Sequence, residues 1–255
     1  MKSARGAFPF ALGLFGLIAW SACTDIPTSD NAVLAIQIDT LPAPAVVLKD
    51  TLRDSTGKAS PITATIFNFK GNVITTSAVR FHALDRGVTV DSVTGFLIGD
   101  SVRTTPARIV VSVGSLQAIQ SLLVTLRPDT VFGVNARDSL AYSLLDSTKN
   151  ISNALSVRVL HSLTSADSAV NAYVVGFAII SPTDTVLAKL VNDANVQSRS
   201  DTTDETGTAS RKIRLNPLAL KELTDSIIIN ATVKYRGAQV RGSPVRLVLK
   251  VKPGS

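Results

Sequence analysis

The sequence predicts an all-β protein, two successive β-sandwiches placed behind an exported N-terminal segment. Three observations carry that prediction. Between Ala32 and Val251, β-prone runs alternate with turns rich in Gly, Asp, Asn and Pro. The spacing is about 8 to 15 residues, close to the rhythm of antiparallel sandwiches. Hydrophobic residues make up 45% of the chain but aromatics only 5%, so the cores must rest on Val, Ile, Leu and Ala; Val and Ile are stiff at χ1 and suit pleated surfaces. Finally, Arg127-Pro128-Asp129 splits the strand series in two, because proline cannot donate to a β-ladder.

The first segment, Met1 to Cys23, opens with Lys2 and Arg5, continues as a mostly apolar run from Ala7 to Trp20, and closes on Ser21, Ala22 and Cys23. This order of basic start, short apolar middle and small residues is that of a secretory signal. The run is short for a membrane span, which needs about 20 residues. Ser21-Ala22-Cys23 resembles the end of a bacterial lipoprotein signal, which implies that the Cys23 thiol is lipidated and becomes the new N-terminus. Trp20 departs from the aliphatic residue usual in that family. Ordinary cleavage after Ser21 and an uncleaved anchor are the alternatives. Thr24, rather than Asp, follows the cysteine, and by the sorting rule of Gram-negative lipoproteins this implies the outer membrane.

Cys23 is the only cysteine. No intramolecular disulfide and no cysteine-based zinc site can form, so each domain must be stable on its packed core alone. The formal charge of +7 is scattered along the chain, without the basic block of a nucleic-acid arm, and no nucleic-acid partner is expected. A modest positive surplus favours acidic surface polymers or anionic headgroups, or serves solubility alone.

In chain order, residues 24–31 read as a tether, 32–127 as the first sandwich and 131–253 as the second. Strands are expected at 32–38, 45–48, 62–69, 79–83, 88–90, 96–98, 107–113 and 122–126. The second series starts near Val131 and continues at 156–160, 172–180, 185–190, 209–215, 226–234 and 245–251. Alternation puts Ile62, Ala64, Ile66 and Asn68 on one face, and Val79, Phe81 and Ala83 opposite Arg80 and His82. Leu140 to Leu145 and Leu218 to Leu223 read as short helices. The modules echo one another: Asp50-Thr51-Leu52 and Asp54-Ser55-Thr56 are matched by Asp138-Ser139-Leu140 and Asp146-Ser147-Thr148, and Val79-Arg80-Phe81 by Val175-Gly176-Phe177.

The turn Asp204-Glu205-Thr206-Gly207-Thr208-Ala209 and the downstream run Ile229-Asn230-Ala231-Thr232-Val233 resemble bacterial immunoglobulin-like domains of the invasin and intimin type. Phe81 to Asp85, Val90 to Gly95 and Ala107 to Gly114 resemble the related bacterial Ig-like group, with Val111 standing where that pattern has Ala. The resemblance implies tandem Ig-like modules on a cell surface or in an envelope and brings no catalytic residues.

Few residues invite a chemical role. Asp201, Asp204 and Glu205 form the densest acidic cluster; they could ligate calcium, whose ligands are hard oxygens, or build a solvated turn. His82 and His161 are the only histidines, expected to face solvent or a sheet edge. There is no Gly-x-Ser-x-Gly elbow, phosphate loop or His-Glu-x-x-His. Lys234, Arg236, Arg241, Arg246, Lys250 and Lys252 make the last hairpin basic, either to meet an acidic polymer or to protect an edge strand. The expectation is a non-enzymatic, lipid-anchored envelope protein without cofactor or metal, serving adhesion, display or spacing, with a protein or glycan ligand at the cell surface. The alternative is a carbohydrate- or polymer-binding accessory protein.

Overall fold

The computed structural model describes residues 32–162, 166–183, 186–219 and 226–254. The signal segment with Cys23, the tether and most of the helix expected at Leu218 to Leu223 lie outside the described residues.

The first module comprises β1 (Ala35–Ile38), β2 (Ala45–Val47), β3 (Ala64–Phe67), β4 (Arg80–Ala83), β5 (Val88–Val90), β6 (Leu97–Gly99), β7 (Ala107–Val113) and β8 (Leu116–Thr125). The second comprises β9 (Thr130–Asn135), β10 (Arg137–Tyr142), β11 (Leu155–Ser162), β12 (Asp167–Ala169), β13 (Val174–Ser181), β14 (Ala188–Val191) and β15 (Ser200–Thr202). It ends with β16 (Thr208–Leu215), β17 (Ser226–Thr232), β18 (Lys234–Tyr235), β19 (Ala238–Gln239) and β20 (Val245–Pro253).

Both modules are wound in the same way. The leading strand is split between two layers: its first part pairs antiparallel with the following long strand, and its second part crosses over to pair parallel with the last strand. In the first module these are β1 on β3 and β2 on β8; in the second, β9 on β11 and β10 on β20. The parallel pair then leads inward through β8-β7-β4 and through β20-β17-β13-β15. The opposite layer of the second module is β12-β11-β16-β14 with β9. A layer of four strands in the first module and five in the second, facing a layer that contains the first part of the split strand, is the immunoglobulin-like arrangement. In the first module the crossover spans Asp39 to Pro44, where Pro42 and Pro44 carry no donor and so suit a segment between sheets. In the second it is compressed at Ala136, against which Gly133 packs so closely that a Cβ there would sit 2.6 Å from the Ala136 methyl.

Inward-facing residues fill one main core in each module, and Ile66, Ile74 and Val113 form a smaller cluster in the first. Val46, Leu52, Ile62, Phe81, Leu97, Ile109 and Leu122 dominate the first; Leu155, Val157, Phe177, Ile213, Ile229 and Leu249 dominate the second. The two aromatic rings are equivalent. Phe81 on β4 pairs with Val111 on β7, and Phe177 on β13 pairs with Ala231 on β17. Val111 therefore occupies the place of Ala231.

A five-residue turn recurs. Its first residue accepts backbone N–H groups two and four positions on through its side chain, or only four on in the Asn192 copy, and its fourth residue has positive φ. The copies start at Asp54, Asn68, Asn192 and Asp204, and their fourth residues are Gly57, Gly71, Asn195 and Gly207. Asp and Asn suit the first place because a short carbonyl oxygen can reach its own chain two residues ahead. Asn68 is buried on the face it shares with Ile62 and Ile66, and closes one copy.

Two expectations require correction. Leu140 to Leu145 is not helical: residues 137–142 form β10, whose backbone groups are satisfied by β20, and the following 3-10 turn is Ser147–Lys149. A window of six residues carries too little periodicity to separate the two readings, and the parallel partner decides it. The basic C-terminal strand is also not an edge. β20 lies between β10 and β17, so its charges protect no unpaired backbone.

Candidate functional site

The two sandwiches meet where the loop after β2 faces the β18–β19 hairpin. Asp50 sits at the centre and is 4% exposed. Thr51 donates its backbone N–H to Oδ1 at 2.8 Å. Arg53 donates Nε and Nη2 to the two carboxylate oxygens at 2.9 Å each. From the second module, Arg236 donates Nε and Nη2 to the same two oxygens at 3.0 and 2.9 Å. One buried carboxylate is thus held by two guanidinium forks, one from each domain, a geometry that Lys could not provide. Burial pushes the Asp50 carboxyl upward, but the bonds from Arg53 and Arg236, with the nearby Tyr235 hydroxyl and the Thr51 N–H, outweigh it and hold the group well below the usual carboxylate range. Asp50 is therefore ionised at neutral pH.

Local backbone chemistry aims Arg236. Arg236 and Gly237 both have positive φ, 51° and 81°, as a two-residue hairpin turn of matching twist requires. Arg236 also stacks over the Tyr235 ring, 5.4 Å from its centroid. Gly237 in turn lies against Gly57: an ideal Cβ on Gly57 would stand 2.1 Å from the Gly237 nitrogen. Only glycine allows this approach. Thr125, at the end of β8, adds a bond from its hydroxyl to the Asn171 carbonyl at 2.5 Å.

The connection itself is docked. Asp129 accepts from Arg127 Nε at 2.7 Å and from the Ser162 backbone at 3.0 Å, and lies 2.5 Å from His161 Nδ1. Burial raises the Asp129 carboxyl, and the bonds from Arg127, Ser162 and His161 more than offset this, lowering it overall.

Beside the clasp a cleft of about 460 Å³ opens between the domains. One wall is the crossover with Pro42 and Pro44; the floor is the outer face of β13, where Gly176 and Ala178 present almost no side chain. Val175 and Phe177 alternate with them and point into the core. Arg53, Arg199, Lys234 and Arg236 line the cleft; Tyr173 beside them donates its hydroxyl to the Lys234 carbonyl at 2.6 Å. Burial, with the nearby Tyr235 and Asp50, drives the Tyr173 hydroxyl well above its ordinary range, so it stays a neutral donor.

The residues singled out in the sequence fall elsewhere. Asp201 accepts the Ser210 N–H and pairs with the buried Arg211. Asp204 spends one oxygen on Thr206 and Thr208 in its turn. Among the described residues no group of three or more potential metal ligands occurs. His82 is exposed on β4, as expected. His161 is not turned to solvent or to an edge; its side chain is 18% exposed and faces Asp129. Neither histidine lines the cleft. Of the basic hairpin, Arg236 belongs to the clasp and Lys234 to the cleft, whereas Arg246, Lys250 and Lys252 lie exposed along β20. Sequence reading missed Asp50 as a site. Its one available signal was an Asp and an Arg three positions apart beside a turn, and nothing in the sequence pointed to Arg236 as their partner.

No family model matches the sequence, and no curated protein matches it either. Among solved structures, domains 4 and 5 of the S-layer protein SbsC are similar at 13% identity, covering 86% of this chain and 98% of that one, with a TM-score of 0.32. Human protocadherin-24 EC1-2 is similar at 12% identity, covering 88% and 100%, with a TM-score of 0.29. The Escherichia coli adhesin FdeC is similar at 12% identity, covering 87% and 66%, with a TM-score of 0.29. The immunoglobulin-like arrangement rests on the strand pairing itself.

Proposed function

We propose that the protein is a non-catalytic, lipid-anchored component of the cell envelope that acts as a stiff two-domain spacer, displaying its surface for adhesion or ligand capture. The observation that carries this reading is the clasp: a buried carboxylate gripped from both domains, beside a glycine-to-glycine backbone contact. Such a joint resists bending, whereas a flexible linker would leave the domains free. The direction of the chain supports the same reading. β1 begins beside Phe67, at the end of the first domain away from the clasp, and β20 ends beside Tyr142, at the far end of the second. An anchor at Cys23 thus holds one end of the pair and points the second domain away from the membrane. The resemblance of residues 204–209 to invasin and intimin repeats supports an Ig-like module of that type. In a Gram-negative cell, Thr24 in place of Asp after the cysteine supports outer-membrane placement.

Metabolic labelling with an alkyne fatty acid tests the anchor. Wild type should label strongly and Cys23→Ala should not. Equal, background labelling of both would remove lipid anchoring from the proposal.

A further inference from the structure

We infer that the interdomain cleft is a binding site for a short segment of an acidic glycan, carboxylated or sulfated. The charge balance is the first ground. Arg53, Arg199, Lys234 and Arg236 line the cleft, and the carboxylates beside them are Asp54 on its wall and Asp50 behind the clasp. Asp50 is fully used by two arginines, and Asp201, next in chain to the lining residue Ser200, is paired with Arg211. Two positive charges are left over, and Arg199 and Lys234 are the exposed side chains that supply them. Exposed cations without a carboxylate partner beside an apolar wall favour anions.

The surfaces between the charges decide the class of anion. Gly176 and Ala178 make a shallow floor, and a Cβ on Gly176 would meet nothing closer than the Thr232 carbonyl at 3.8 Å. Pro42 and Pro44 form an apolar wall, and Thr51, Ser55, Ser200 and Thr232 also line the cleft. A sugar ring matches such a surface: C–H faces lie on proline and alanine while hydroxyls exchange bonds with Ser and Thr. An acyl chain would need a deep apolar tunnel. The size fits the lower part of the range for ligand clefts, about 300–1,000 Å³. The floor also runs on as a track. Ala178 pairs with Asn230, and Asn230 with Arg246 on β20, so a chain leaving the cleft along that row meets a further exposed cation. This gives a role to the basic C-terminal strand, which protects no edge.

The inference deepens the display reading, yet the two fail separately: loss of fatty-acid labelling would leave glycan binding untouched. The test uses the purified full chain in detergent, titrated calorimetrically with oligogalacturonate and sulfated dextran, with uncharged dextran as the neutral comparison. Binding is expected for the charged oligomers and not for dextran. Arg199→Glu with Lys234→Glu should weaken it at least tenfold. The remote pair Arg80→Glu with Lys149→Glu, exposed in different places, should change it less than twofold. Both variants replace exposed side chains, and matched urea midpoints confirm that they fold. Failure of both charged oligomers to bind at millimolar concentration would overturn the inference. Equal loss in the two double variants would do the same, because it would mark attraction to net charge rather than to this cleft. Binding only to vesicles with anionic headgroups would assign the cations to a lipid surface and likewise reject it.

Discussion

Replacing Gly57 with alanine should unlock the two domains, and the protein supplies its own control. Gly57 and Gly71 hold the same place in two copies of the same turn, with φ of 89° and 77°. Alanine at either pays the left-handed backbone penalty of about 1–2 kcal/mol. The surroundings differ. At Gly71 nothing lies within 4 Å of the new methyl, whereas at Gly57 it meets the Gly237 nitrogen at 2.1 Å and two further backbone atoms below 3 Å. Backbone on both sides cannot rotate away, and the gap is roughly 1.4 Å short of ordinary contact near 3.5 Å. The domains must part by that distance or the turn must deform. Either response stretches the Arg236–Asp50 bonds of 2.9 and 3.0 Å beyond useful range. Straining a backbone-packed joint amounts to about 1–3 kcal/mol. Urea unfolding of wild type, Gly57→Ala and Gly71→Ala measures the difference. Gly57→Ala should be less stable than Gly71→Ala by that margin. If the two variants agree within about 0.5 kcal/mol, a typical additivity error, the joint is not held as described.

Two other predictions follow from the same structure. The Asp50 carboxyl lies below its unfolded-state value of about 3.9, so folding favours its ionised form. Its contribution is complete above that value and fades as the pH falls below it. Interdomain order, read by small-angle scattering, should be flat between pH 5 and 8 and fall in acid, with no such acid step in Asp50→Asn; an identical profile for both would assign the transition to other groups. Gly95 presses on the Ile62 carbonyl just before β3, and Gly207 on the Val159 carbonyl of β11, at 2.3 and 2.6 Å from an ideal Cβ. Alanine at either should destabilise its own domain by more than Gly71→Ala does, measured by hydrogen exchange of the core amides of that domain; equal effects at all three would show that backbone conformation alone matters.

How legible the molecule was in its sequence depended on whether a feature was local. Ala107–Val113 appears as a strand over its full predicted length because every second residue is apolar and a glycine turn bounds it. The match of Val79-Arg80-Phe81 to Val175-Gly176-Phe177 was visible because the same core position wants the same large ring. Asp54 and Asp146 also behave alike, each accepting the N–H and hydroxyl of the threonine two residues on. By contrast, Asp50 and Asp138 looked equivalent and are not: Asp50 lies beyond its strand at the joint, while Asp138 sits within β10 and accepts the Asn153 N–H. β10 was misread because its hydrogen-bond partner is 111 positions away, as in Arg137 with Val248. The first half of β8, with Gln117, Gln120 and Ser121, was missed because polar residues interrupt its pattern. The clasp was the least legible feature. Asp50 and Arg236 are 186 positions apart, and an acid and a base at that separation carry no signal until the fold brings two loops together.

The central claim is that the two sandwiches form one stiff unit about the Asp50 clasp. Double electron–electron resonance between nitroxides at Gln117 and Lys149, exposed residues of the two domains, tests it most directly. Attachment through a ketone-bearing non-natural residue leaves Cys23 untouched. A single narrow distance distribution is expected in wild type, broadening severalfold in Arg236→Ala. A broad distribution in wild type, or one that Arg236→Ala leaves unchanged, would contradict the claim.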